Sequence, residues 1–133
     1  MNYKRIYESV NTPEIFYHAT LKRYIPNIKK FGLGGKLPKR RFWDYEGTSY
    51  ENITEGVFLA DDEYVAFSYL EACDELYDRY EDFDPDTDVV VFAINKSDLD
   101  ESKISIDENN DSEATTWFYS GVIPFELLKR VNL

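Results

Sequence analysis

Two chemically useful residue types are nearly missing from this chain. It has one cysteine, Cys73, and one histidine, His18, in 133 residues. A single cysteine excludes an internal disulfide and fits a reducing compartment. A single histidine with no cysteine pair beside it offers no zinc ligand set. Long apolar runs are missing as well: no segment approaches the roughly 20 residues that span a membrane. The opening MNYKRIYESVN carries no apolar core of signal-peptide length, so a cytoplasmic protein is expected. Positive charge is scarce, with Lys+Arg 15 against Asp+Glu 26, a formal net charge of −11 and a pI near 4.5. Such a surface repels phosphate backbones and disfavours general nucleic-acid binding. It leaves open a small-molecule ligand, a basic protein partner or nucleic-acid mimicry.

Aromatics are what the chain has in quantity: eleven tyrosines, nine phenylalanines and two tryptophans. Apolar residues make up 43% of the sequence. That is enough for one domain, residues 1–133, with one core, and some of the rings are expected to line a cavity. Residues 1–13 read as a leading helix or arm that Pro13 ends.

Glu14 to Thr20 alternates as a strand, with Phe16, His18 and Thr20 on one side. A short helix follows, beginning near Tyr24 with Pro26 in its first turn and Gly32 after its end. Residues 34–50 have no periodicity and read as a long loop. Lys36, Lys39, Arg40 and Arg41 make the one positive cluster there. It is either a solvated loop or a flap that brings cations to a phosphate. Gly56 to Ala60 is a short buried strand, and Asp61 or Asp62 is placed to cap a helix. Val65, Tyr69, Cys73, Leu76 and Tyr80 recur at helical spacing, which predicts Tyr69 on the inward face of one long helix. The acidic stretch from Tyr80 to Asp88 reads as a loop and lacks the carboxylate spacing of a calcium site. Val89 to Asn95 is the most apolar run and predicts a central strand. Lys103–Ile106, Glu113–Tyr119 and a short helix around Pro124–Leu128 complete the reading.

Three of these segments, taken together, resemble the ADP-ribosyltransferases of the His-Tyr-Glu class, which include the poly(ADP-ribose) polymerase catalytic domain. His18-Ala19-Thr20, with Ile28 and then Gly32-Leu33, resembles the family's histidine strand; alanine stands where glycine is usual. Gly56-Val57-Phe58-Leu59-Ala60-Asp61, with Tyr69, is similar to its "G-I-Y-F-A-D … Y" segment; Phe58 replaces one stacking tyrosine. Glu113, counted back from the closing VIPFELL, falls on the glutamate that opens a strand in the family, with Glu108 and Glu126 as fallbacks.

The resemblance covers residues 14–128 and implies an α+β fold of split antiparallel sheets with short flanking helices. It implies NAD⁺ as co-substrate, bound in the cleft between the sheets, and no metal. Glu113, His18 and Tyr69 would be catalytic. His18 would donate a hydrogen bond to a ribose, Ala19 and Thr20 would lie beside the ligand, and Phe58 and Tyr69 would sandwich the nicotinamide. Lys39, Arg40 and Arg41 are placed on the diphosphate by their charge alone. The expected activity is transfer of ADP-ribose to a macromolecular acceptor, a protein more than a nucleic acid, with no membrane involved. A small-molecule acceptor, a DNA-targeting toxin-like enzyme and a non-catalytic acidic interaction protein are the alternatives.

Overall fold

The computed structural model describes residues 12–35, 56–106 and 116–133. In chain order these form β1 (Ile15–Leu21), α1 (Ile25–Phe31), β2 (Val57–Ala60), α2 (Glu63–Glu71), α3 (Asp74–Arg79), a single turn α4 (Pro85–Asp88), β3 (Val89–Asn95), β4 (Ile104–Ile106), β5 (Thr116–Tyr119) and β6 (Lys129–Val131). The six strands make one antiparallel sheet in the order β4-β5-β2-β1-β3-β6. The protein is therefore a small α+β fold built on a single sheet.

That sheet is unevenly stitched. β1 pairs with β3 along its whole length, from Ile15↔Asn95 to Leu21↔Val89. β2 pairs with β5 from Val57↔Tyr119 to Ala60↔Thr116. Between β1 and β2 there is one register pair, Tyr17↔Ala60. Two three-stranded halves, β4-β5-β2 and β1-β3-β6, thus meet at one rung. The expected pair of separate sheets is corrected to one sheet that nearly parts, because the Tyr17–Ala60 rung keeps it continuous.

Alternation along each strand sends side chains to both faces, and both faces are covered. Phe16, Leu59, Ile94 and Trp117 pack with Ile28 of α1 and with Ile123 on one side. Phe16 and Trp117 meet edge to face there, with ring centroids 5.6 Å apart. Ala19, Ala60 and Val91 pack with Ala66 and Leu70 of α2 and Leu76 of α3 on the other. The three alanines let α2 lie close against β1 and β2. Coverage on both sides explains why VVVFAIN is so apolar. It does not make that strand central: β3 is one strand in from the β6 border.

The long helix expected through Tyr80 is broken. Asp62 caps α2 as foreseen, accepting from the N–H groups of Tyr64 at 2.8 Å and Val65 at 3.1 Å. The helix then ends at Ala72, and Cys73 is extended before α3 begins. The break resets the helical phase. Ala66 and Leu70 become the buried pair of α2, and Tyr69 is half-buried on its flank. The stripe that put Tyr69 inward joined residues of two helices. The acidic stretch, expected as loop, holds α4, which Asp84 caps through Asp86 N–H.

Gly32 closes α1 as predicted, its N–H bonded to the Ile28 carbonyl at 2.8 Å. Gly34 follows with a φ of +83°, and a Cβ there would stand 2.6 Å from Val57 Cγ2 and 3.0 Å from the carbonyl oxygens of Gly56 and Gly121. Gly34→Ala is expected to cost about 2 kcal/mol of stability, from a left-handed backbone and crowded carbonyls together. The measurement is the urea midpoint at constant slope. A variant that unfolds with the parent would show that this turn relaxes freely.

Candidate functional site

The place where the sheet nearly parts is where the lone histidine sits. β1 and β2 run antiparallel from the Tyr17↔Ala60 rung, so Thr20 and Val57 lie beyond it, where register pairing has ended. His18 spans this gap: its Nδ1 stands 2.7 Å from the main-chain oxygen of Phe58. A carbonyl only accepts, so Nδ1 carries the proton and donates it. The half-buried ring takes over the link between strands that the backbone ladder has dropped.

That bond fixes what the ring can do next. Burial holds the His18 pKa below the ordinary imidazole value, and the Phe58 carbonyl pulls weakly the other way. The imidazole is neutral at neutral pH, so Nε2 presents a lone pair. His18 is expected to donate to a ribose; with Nδ1 turned to Phe58, the nitrogen left for a ligand is Nε2, which in the neutral ring is an acceptor.

Because His18 is the only histidine, its ring protons give one assignable NMR signal. We expect a titration midpoint below about 6.5, the unperturbed value. The linked effect on folding follows. The unfolded chain takes up this proton first, so the stability contribution is intact above about pH 6.5 and falls as pH drops from there toward the folded-state midpoint. A midpoint at or above the unperturbed value would place the ring in water.

The other expected site residues divide into three groups. Thr20 is buried on β1, two residues from His18 and on the same side of the strand. Ala19 points to the opposite side, where it is buried in the α2 packing rather than beside an open space. Phe58 shares that second side with Ala60, and its ring leans on Phe118 with centroids 4.9 Å apart. His18 and Phe58 thus come from opposite faces and meet through the gap. Tyr69 stands on α2, which packs on β1, β2 and β3 and so straddles the gap. Lys39, Arg40, Arg41, Glu108 and Glu113 lie outside the described residues. Of the strand expected over Glu113–Tyr119, the described part is Thr116–Tyr119, and Thr116 is buried and paired with Ala60. Glu126 is exposed on a turn after Pro124.

Sequence reasoning passed over a second cluster close by. At the end of β1, Arg23 lies over the ring of Tyr80, its Cζ 3.8 Å from the centroid. The hydroxyls of Tyr24 and Tyr80 are 3.3 Å apart. Burial first, and then Tyr80, push the Tyr24 pKa up to about 12, while Arg79 pulls it down. The signal was in the chain as two Arg-Tyr dipeptides, 23–24 and 79–80, at the ends of what had been read as unrelated elements.

Among the described residues no group of histidine, cysteine and carboxylate side chains is placed to hold a metal ion. No described helix is long and apolar enough to cross a membrane. The chain matches no protein-family model, and no curated protein matches it in sequence.

Proposed function

We propose that this protein is a mono-ADP-ribosyltransferase that uses NAD⁺, with the ADP-ribosyltransferase version of a split-sheet fold. The observation that carries the reading is the gap between β1 and β2, spanned by the His18 imidazole bonded to the Phe58 carbonyl at 2.7 Å. A histidine whose tautomer is fixed, beside Thr20 and at a gap whose other face is covered by a helix that carries a tyrosine, suits a ligand with ribose hydroxyls and a flat ring.

The chemistry breaks one bond and makes one. The C1′–N bond of the nicotinamide riboside cleaves, and nicotinamide leaves with the bonding electrons. An acceptor nucleophile bonds to C1′ and gives up its proton. Positive charge builds on the ribose ring as in glycoside hydrolysis. A carboxylate beside that ring stabilises the transition state, and Glu113 is assigned that task. His18 Nε2 accepts from a ribose hydroxyl and fixes the sugar. Tyr69 and Phe58 supply the rings for the nicotinamide. With a net charge of −11, a protein acceptor is favoured over a nucleic acid.

The test is direct: incubate the chain with NAD⁺, measure free nicotinamide by chromatography, and measure NAD⁺ binding by calorimetry. Binding with release supports the enzyme. One observation favours a second reading. The net charge of −11 suits a non-catalytic protein on the same fold that meets a basic partner. No release together with tight binding to a basic protein would select that reading, and neither release nor such binding would discard both.

A further inference from the structure

We propose that Arg23 and Tyr80, held in shape by Tyr24, form an anion site for a diphosphate group. The inference builds on the NAD⁺ reading above, because the diphosphate would be the dinucleotide's own.

Charge comes first. In an acidic chain, Lys22 and Arg23 are adjacent and exposed at the end of β1. Arg79 is ion-paired with Glu75. Among the described residues no carboxylate stands within ion-pair distance of Arg23. Among the described residues, the positive charge of this corner without an ion-pair partner therefore rests on Lys22 and Arg23.

Geometry comes second. Arg23 lies with Cζ 3.8 Å from the centre of the Tyr80 ring. A guanidinium held by its face on a ring keeps its N–H edge free to fork onto phosphate oxygens. The stacking also removes much of the ordering cost that a free arginine would meet on binding.

Proton direction comes third. The Tyr24 and Tyr80 hydroxyls stand 3.3 Å apart, and either can donate to the other. An anion beside Tyr80 can only accept, so its approach selects the arrangement in which Tyr24 donates to Tyr80. Tyr80 has then accepted its neighbour's proton, and its own is left to donate outward. The two donors run from Tyr24 to Tyr80 and end as an O–H on the ring that Arg23 covers. A fork of N–H groups and a phenol proton side by side match an anion with several oxygens.

Position ties this corner to the gap. Arg23 is three residues beyond Thr20, so it lies within roughly 10 Å of chain. It is at the end of β1 beyond the last β1–β2 rung. Tyr24 packs against both core layers, which puts it at the end of the sheet and not over one face. A dinucleotide with a ribose on His18 would carry its diphosphate toward this corner. Arg23 thus takes, among described residues, the role that charge alone gave to Lys39, Arg40 and Arg41.

The experiment titrates inorganic pyrophosphate, without divalent metal and at fixed ionic strength, into the full chain and four variants by calorimetry. The parent is expected to bind. Arg23→Ala should bind about tenfold more weakly, and Tyr80→Phe, which keeps the ring and loses the proton, about threefold. Tyr24→Phe should lose a similar factor to Tyr80→Phe, because the donor chain is cut. Lys22→Ala removes the same charge as Arg23→Ala and should stay within about twofold. Near-ultraviolet circular dichroism confirms that each variant is folded. Pyrophosphate that ignores the parent, or that binds the parent and Arg23→Ala alike, overturns the site. NAD⁺ and adenosine are then titrated into the parent and Arg23→Ala. Weaker NAD⁺ with unchanged adenosine supports the assignment. NAD⁺ bound equally by both overturns it and leaves the dinucleotide reading standing. Arg23-dependent pyrophosphate binding with no NAD⁺ binding supports the anion site and removes the dinucleotide.

Discussion

Replacing His18 by alanine is expected to lower nicotinamide release about 100-fold and to remove about 2 kcal/mol of stability. The two losses have different origins. Stability falls because the Phe58 carbonyl loses the donor 2.7 Å away, where the β1–β2 ladder has no other rung to offer beyond Tyr17↔Ala60. Release falls because Nε2 no longer holds the ribose. Asparagine separates them: its amide N–H₂ falls close to where Nδ1 stood, and nothing replaces Nε2. His18→Asn should therefore recover most of the urea midpoint and none of the activity. It should also lose the acid-side stability slope assigned to this imidazole. If asparagine restored release along with folding, the ring would be a structural peg and the site would lie elsewhere.

Glu113→Gln is expected to leave NAD⁺ affinity within about threefold and to reduce transfer between about 100- and 1,000-fold. The amide has the shape of the carboxylate and keeps an oxygen to accept from a ribose hydroxyl, so binding persists. It carries no charge, so it cannot offset the positive charge that grows on the ribose as nicotinamide departs. The effect belongs to kcat and not to KM, since it appears only as the bond breaks. Single-turnover release at saturating NAD⁺ reads it without interference from binding. Equal single-turnover rates in Glu113→Gln and the parent would take that residue out of the chemistry. They would move attention to Glu108 and Glu126.

Much of the fold was legible because its signals were local. The alternation of EIFYHAT, the apolar run at Val89–Asn95, Asp62 before α2 and Gly32 after α1 each specify an element from a few residues, and each stands where it was expected. The helix break at Ala72–Cys73 was not legible, because Val65, Tyr69, Cys73 and Leu76 keep a helical rhythm across it. Which residue of α2 faces inward is set by the close approach that Ala19, Ala60 and Ala66 permit, and Ala19 lies about 40 positions away from the other two. The site was legible in part. His18 drew notice as a singleton, but its hydrogen-bond role depends on a carbonyl 40 positions away. Arg23 and Tyr80 draw none separately, since one follows a strand and the other ends a short helix. Their pairing exists only after the chain folds.

The seam between the two half-sheets also bears on how this molecule yields to force. Most sheets resist separation of neighbouring strands with a row of backbone bonds; here one rung and one imidazole carry that load between β1 and β2. A molecule seated across the seam would act as a splint, so its grip should slow amide exchange in both halves at once, including residues it never touches.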